Sequence, residues 1–252
     1  THAGSITLRL KIKKMNNEFL WFAEILANFL FIILAYKLFG KWGLIMWIPI
    51  SVTLANIQVV QTVELFGMVA TLGNVVYATS FLITDILSEN YGKREANRAV
   101  WIGFFSLIAV TVLMNITMLF EPLKGDDFAT TTHEATKTIF SLMPRLAFAS
   151  LTAYLLSQHH DVWAFHFWKS KYPTQRQLWI RNNLSTMVSQ IIDSAVFVLI
   201  AFYGVFETKV LFEVFITTYF LKFLVAAADT PFVYWGKLIH ERKSFWLKEV
   251  TE

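Results

Sequence analysis

Four ionisable residues lie inside long apolar stretches of this sequence: Asp85, Arg145, Asp193 and Lys222. Such stretches are typical of membrane-spanning helices, and a charge at the bilayer centre is unfavourable by roughly 2.5 to 3.5 kcal/mol on insertion scales. Charges in these positions mark transport paths, proton relays or lipid-buried active sites. Because two of the four are acids and two are bases, they can pair with one another.

A polar stripe surrounds Asp193. At helical spacing it shares one side of a predicted helix with Asn182, Thr186 and Ser189, and Gln190 lies beside them. The stripe either binds a ligand or joins helices by hydrogen bonds, each worth about 0.6 to 2 kcal/mol. Because Asp193 is about 11 residues into the predicted span, near the midplane where transporter sites are often found, we favour a functional role.

Two further acids lie near the charged candidates. Asp85 and Glu89 are four residues apart, so they share a helical face and can form a paired-carboxylate site. The alternative for Glu89 is a position in water, where it binds Lys93 or Arg94. Asp85 lies deeper in its apolar stretch, which favours a functional role for it.

The two cations need partners. Lys222 and Asp229 are seven residues apart on one face of the last helix, and Arg145 follows Pro144. A purely structural account pairs each cation with one buried aspartate. Simple ion pairing does not require the additional amide side chains nearby in the sequence, which we include as binding candidates: Asn56, Gln58 and Asn74.

The composition predicts an all-α, polytopic membrane helix bundle of six to seven transmembrane helices. Of 252 residues, 56% are hydrophobic and 24 are Phe, which is too apolar for one soluble domain. The predicted spans are Phe19 to Phe39, Gly43 to Val63, Met68 to Ser88, Ala96 to Phe120, Thr138 to Ser157, Asn183 to Phe206 and Leu211 to Trp235. Since only Glu64-Leu-Phe-Gly67 separates the second from the third, one of these is expected to be re-entrant or broken.

Basic loops predict the orientation, because cytoplasmic loops carry the excess of Lys and Arg. Basic residues follow the third, fifth and seventh segments, and acidic or mixed loops follow the fourth and sixth. We therefore expect a cytoplasmic C-terminal tail (241–252), one membrane domain (15–240) and an added leader (1–14) before a natural start at Met15. The aromatic tail from Gln158 to Trp168 is expected to lie along the lipid headgroups.

No sequence motif indicates an enzyme, a cofactor or a metal site. Gly-x-Ser-x-Gly, His-Glu-x-x-His and a phosphate-binding glycine loop are all missing from the sequence. The nearby His159, His160 and His166 are expected to pack at the membrane interface rather than to bind a metal. The net charge of +4 lies in clusters beside the apolar segments, so no nucleic-acid partner is expected.

Several linked motifs resemble the queuosine-precursor transporter family, of the vitamin uptake transporter type. They are Thr84 to Gly92, Pro144 to Ser150, Ser157 to Val162, Arg181 to Asp193, Tyr219 to Lys222 and Asp229 to Pro231. The resemblance implies a bacterial inner-membrane protein, related to the substrate-binding components of energy-coupling-factor importers. It also implies uptake of 7-cyano-7-deazaguanine or 7-aminomethyl-7-deazaguanine for transfer-RNA modification, with Asp85, Arg145, Asp193 and Lys222 as the best-matched site residues.

The chemistry of a deazaguanine fits these candidates. Its N–H and exocyclic amine form an edge that a carboxylate such as Asp193 or Asp85 can accept, and Tyr77, Phe81 or Phe197 can stack on the ring. The prediction is a secondary transporter with a midplane pocket. The alternatives are a substrate-capture subunit that needs an ATP-driven module and, less favoured, an intramembrane enzyme. Proton coupling and a homodimer remain open.

Overall fold

The computed structural model describes residues 16–59, 61–140, 144–204 and 207–249. The predicted leader, 1–14, lies outside them. Eight α-helices and one β-hairpin make up the described chain: α1 (Asn17–Phe39), α2 (Lys41–Gln58), β1 (Thr62–Leu65), β2 (Met68–Thr71), α3 (Gly73–Asn90), α4 (Lys93–Thr117), α5 (Asp127–Phe140), α6 (Pro144–Lys171), α7 (Leu178–Phe202) and α8 (Thr208–Glu249). A 3₁₀ turn, Gln175–Gln177, precedes α7.

The all-α membrane architecture is confirmed. Four helices are long and apolar enough to cross a membrane, namely α1, α4, α7 with its preceding turn, and α8. Their outer faces expose large apolar side chains, such as Phe31 on α1 and Phe105 on α4. Water disfavours such surfaces and lipid does not. The helices α2, α3 and α6 complete the bundle, and the total of six to seven spans stays a prediction.

A β-hairpin replaces the start of the predicted third segment. β1 and β2 pair antiparallel, with Leu65 opposite Met68, and α3 begins only at Gly73. The two turn residues, Phe66 and Gly67, both have positive φ, at 52° and 73°. Two-residue hairpin turns require this backbone conformation. The expected break between the second and third segments is therefore an extended hairpin that follows the end of α2.

One other expectation was wrong. The acidic loop after α4 contains a helix, α5, which had not been predicted, but it is the aromatic tail from Gln158 that contradicts the expectation, since it does not lie along headgroups. It continues α6 without interruption, and Asp161, Val162 and Phe165 are fully buried in the bundle. Helix α7 packs along α6, and Arg181 of α7 lies 6.0 Å from the centroid of the Phe165 ring. These side chains are therefore buried inside the protein and not placed in the headgroup region.

Helix α3 is the centre of the bundle. It contacts α1, α2, α4, α6, α7 and α8, and every side chain from Ala78 to Ser88 is buried. Most helices of such a protein need only one apolar stripe, whereas a central helix buries its whole circumference. The polar residues of α3, including Asp85, are consequently forced to find partners within the protein.

Candidate functional site

A cavity of about 850 Å³ lies at the hairpin end of the bundle. Its lining comes from the last turns of α2 and α7, the first turns of α3 and α8, and parts of α4, α5 and α6. The walls are mainly apolar. Their amide and charged side chains are Asn56, Asn74, Asn115, Asp193 and Lys222, and hydroxyl groups come from Thr53, Tyr77, Thr111, Ser150 and Thr218. Size and lining are both typical of a small-molecule site.

Asp193 is the centre of the polar wall. Its Oδ1 accepts hydrogen bonds from the Tyr77 hydroxyl at 2.5 Å and from Ser157 Oγ at 3.0 Å. Its Oδ2 accepts from the ammonium of Lys222. Lys222 Nζ also lies 4.9 Å from the centroid of the Tyr77 ring, within range of a cation–π contact. Three helices, α3, α6 and α8, thus hold one carboxylate of α7.

The amide candidates separate into two groups. Asn56 and Asn74 both line the cavity, and Asn56 Nδ2 donates to the Val52 carbonyl at 2.7 Å. Gln58 does not line it. Its Nε2 donates to Glu24 Oε1 at 2.6 Å, which joins α2 to α1. Arg145 belongs to the first turn of α6, but its side chain lies outside what the structure describes.

A second polar layer lies deeper in the bundle, away from the cavity. Thr186 Oγ1 donates to Asp85 Oδ2 at 3.0 Å, and Asn182 Nδ2 donates to Asp229 Oδ1 at 2.8 Å. Seven residues of α7 separate Thr186 from Asp193, so this layer begins about 10 Å below the cavity carboxylate. Ser189 and Gln190, also predicted as binding residues, are fully buried here and do not line the cavity.

Asp161 of α6 joins this layer and is missing from our sequence-based site residues. It is fully buried, and it lies close enough to Asp85 for the two carboxylates to interact. The sequence carried a usable signal, because Asp161 follows Ser157 by four residues and the two therefore share a helical face. We had placed it instead in a tail at the membrane surface.

A third group closes the opposite end of the bundle around Glu89. The carboxylate accepts hydrogen bonds from Arg181 at 2.7 and 3.1 Å and from Lys237 at 2.5 Å, and it forms an ion pair with Lys169 at 3.1 Å. Its side chain is only 4% exposed. The expectation that Glu89 meets water and binds Lys93 or Arg94 was therefore wrong. This one carboxylate of α3 instead connects α3 to α6, α7 and α8.

Glu89 follows the predicted span, which ends at Ser88. Burial acts to raise its pKa, but the hydrogen bonds from Lys237 and Arg181 and the charge of Lys169 outweigh burial and lower the pKa to about 2. Glu89 is thus an anion at every physiological pH, and in this conformation its charge is matched by three cationic partners.

Comparison with known proteins places the chain in a family. Residues 71–236 match the family model described as "Putative vitamin uptake transporter". The chain belongs to this family. The match runs from the end of β2 through most of α8 and includes Asp85, Glu89 and Asp193, while Lys237 lies one residue beyond it.

Two curated relatives have the same name. A Bacillus subtilis protein named "Probable queuosine precursor transporter" is 44% identical over 222 residues, which is 88% of this chain and 95% of that protein. A Haemophilus influenzae protein of the same name is 29% identical over 160 residues, 62% of this chain and 61% of that protein. No solved structure matches the chain. Membership of the vitamin uptake transporter family confirms the resemblance, and with it a transporter rather than an enzyme.

Proposed function

We propose that the protein takes up queuosine precursors across the bacterial cytoplasmic membrane and binds the deazapurine in the cavity beside Asp193. One observation carries the proposal: a mainly apolar cavity of suitable size contains a carboxylate already held by Lys222, Tyr77 and Ser157. The names of the two relatives supply the substrate class. The substrates are then 7-cyano-7-deazaguanine or 7-aminomethyl-7-deazaguanine.

The donors around Asp193 suggest how a substrate is recognised. The ring N–H and exocyclic amine of a deazaguanine form a two-donor edge that a carboxylate accepts in bidentate fashion. When this edge binds Asp193, the ammonium of Lys222 is free to donate to the ring carbonyl instead. Tyr77 and Phe197 line the same cavity and are the stacking candidates. Phe81 is fully buried and does not line it.

The two ends of the bundle suggest an alternating-access mechanism. Lys169, Arg181 and Lys237 lie at the Glu89 end, and basic residues mark cytoplasmic ends. The C-terminal end of α8 is then cytoplasmic, and the cavity belongs to the outer half. In this conformation the Glu89 group, defined as Glu89 with its three cations, seals the inner end. Release of substrate inward requires those ion pairs to separate.

Uptake by cells that cannot synthesise deazaguanines tests the function directly. Wild-type protein should restore queuosine in transfer RNA when either precursor is supplied. Asp193→Asn should reduce uptake at least about tenfold, because a neutral amide presents one donor where the substrate needs an acceptor. The matched control is Asp127→Asn, at an exposed aspartate of α5. Unchanged uptake by Asp193→Asn would show that this carboxylate does not bind substrate.

The alternative is a substrate-capture subunit that depends on a separate ATP-driven module. Purified protein in liposomes separates the two proposals, since a self-sufficient transporter sustains uptake without ATP and a capture subunit only binds. Binding titrations with both precursors and with guanine, on the same preparation, would identify the preferred substrate in either case.

A further inference from the structure

Three buried aspartates, Asp85, Asp161 and Asp229, come together from α3, α6 and α8. Their exposed fractions are 0%, 0% and 1%. Asp161 and Asp229 are both close enough to Asp85 for their charges to interact, and Asp161 interacts with Asp229 as well. We call these three residues the aspartate cluster. It is part of neither the cavity nor the Glu89 group. Substrate binding and closure of the inner end therefore do not explain why these three acids are buried together.

Hydrogen-bond donors in the aspartate cluster are too few for its acceptors. Five fully buried oxygens accept no hydrogen bond from the described residues: Asp85 Oδ1, Asp161 Oδ1, Asp161 Oδ2, Asn182 Oδ1 and Asp229 Oδ2. Asn182 is itself fully buried and contacts Asp229. Its amide nitrogen is already committed to Asp229, so its unpartnered carbonyl oxygen adds another acceptor. An unsatisfied buried acceptor is costly, and five close together call for a positively charged ligand.

The neighbouring hydroxyls do not supply the missing donors. Ser185, Thr186 and Ser189 all lie beside Asp161, yet each donates elsewhere: Ser185 to the Asn182 carbonyl, Thr186 to Asp85 and Ser189 to the Ser185 carbonyl. His160 binds Ser189 Oγ through its Nδ1. Asp161 and Asp85 therefore face each other with acceptor oxygens on both carboxylates.

Cations of the protein do not neutralise the cluster in the described structure. On the surrounding helices Lys222 binds Asp193, while Lys169, Arg181 and Lys237 bind Glu89. Lys41 of α2 binds Glu95 of α4, and Glu24 of α1 binds Gln58. Arg145 is 16 residues before Asp161 on α6, about 24 Å along the helix.

We propose that the aspartate cluster is the proton-binding site that couples transport to the proton gradient. This rests on the proposed function and names its coupling ion. An Asp161 oxygen takes a proton from a hydronium ion that enters through the cavity, which leaves water behind, and the resulting O–H donates to Asp85. The same O–H bond breaks when the inner end opens, and the proton passes to cytoplasmic water. A shared proton lets two facing carboxylates form a hydrogen bond to each other instead of repelling each other.

The position of the aspartate cluster supports coupling. Along α7, Thr186 binds Asp85 and Asn182 binds Asp229, while Asp193 lies above them and Arg181 below. These contacts span about 18 Å, from the cavity to the Glu89 group. A proton bound in the aspartate cluster lies directly between the substrate and the inner closure, where its presence can bias both.

Flux measurements on the purified protein in liposomes test this. 7-Cyano-7-deazaguanine is uncharged near neutral pH, so any charge that enters with it belongs to the coupled ion. We expect an inward proton gradient of about one unit to drive about tenfold accumulation for one proton per substrate. Internal acidification, read by an enclosed pH dye, should accompany it. A sodium gradient at equal pH should drive none.

Substitutions assign the site. Asp161→Asn and Asp229→Asn keep the side-chain shape without a titrating proton, so both should bind precursor and exchange it at equilibrium while gradient-driven accumulation is lost. Asp127→Asn is again the control. The proposal is overturned by accumulation that survives in both variants, by accumulation driven by sodium alone, or by wild-type uptake indifferent to pH. Those results leave the proposed function standing, whereas failure of both precursors to bind refutes the function as well.

Discussion

At the scale of single residues, the ion pair between Asp193 and Lys222 decides between a binding site and a structural brace. Both side chains are nearly inaccessible, at 2% and 4% exposed, yet both line the cavity. Removing one member of a buried pair leaves an uncompensated charge and usually destabilises a protein by about 3 to 5 kcal/mol. A brace and a binding site therefore respond alike to each single substitution. Only the double substitution distinguishes the two roles.

We predict that Lys222→Met and Asp193→Asn each lower the midpoint of thermal unfolding in detergent, and that the double substitution recovers most of the loss. The recovery follows because the double variant buries no unpaired charge. Precursor binding, measured on the same samples by titration, should stay lost in the double variant. If binding returns together with stability, the pair only braces the bundle.

At the scale of helices, close packing of α4 against α6 depends on Gly103. A Cβ built at this position would lie 2.1 Å from the Tyr154 hydroxyl and 2.6 Å from Ile48 Cγ2. Tyr154 is fully buried, so it has no free volume into which to move. Small residues at helix crossings in membranes permit this kind of approach.

We predict that Gly103→Ala destabilises the protein by about 1 to 3 kcal/mol through overpacking. Adding Tyr154→Phe should recover part of this, because it removes the atom nearest to the new methyl group. The matched control on α4 is Ile108→Ala, at a position 36% exposed on the outer face. Equal thermal unfolding midpoints for Gly103→Ala and wild type would show that α4 and α6 pack less closely than described.

The Glu89 group makes a second prediction at this scale. The chain has no cysteine, so Ser88→Cys, at a fully buried position beside Glu89, can report opening of the inner end through its labelling rate. Adding Glu89→Gln should accelerate labelling from the cytoplasmic side several-fold, because a neutral amide holds three cations poorly. Glu95→Gln is the control, since Glu95 also pairs with two cations, Lys41 and Arg98. Equal acceleration by both would remove the special role of Glu89.

The same reporter has a defined pH dependence. The pKa of Glu89 is lowered from 4.5 to about 2, so its contribution to closure is fully present above the unfolded-state pKa and is lost only as pH falls through the folded-state pKa. In an Asp161→Asn background, which removes the proposed proton site, the labelling rate of Ser88→Cys without substrate, divided by that of a free thiol at the same pH, should therefore stay constant between about pH 8 and 5. A rise within that window would mean that another group controls closure.

At the scale of the whole molecule, apolar length predicted α1, α4, α7 and α8, and the charged positions predicted the Asp193–Lys222 pair as one of two alternatives. The sequence did not predict how the polar residues divide among cavity, aspartate cluster and Glu89 group. That division depends on how far each helix is rotated and shifted against α3, and spacing within one helix carries no such information. The burial of Asp161 follows from the same rotation, as does the exclusion of Gln58 from the cavity.

Alternating access makes a last prediction about both ends at once. Thr218→Cys places a reporter in the cavity lining of α8, and Ser88→Cys reports the inner end. Adding precursor outside should slow labelling of the first and accelerate labelling of the second, because one conformational equilibrium controls both. Adenine provides the control, because it lacks the ring N–H donor and the ring carbonyl that Asp193 and Lys222 are proposed to bind. A capture subunit that only binds would protect Thr218→Cys and leave Ser88→Cys unchanged, so the paired measurement distinguishes transport by this chain alone from delivery to a second protein.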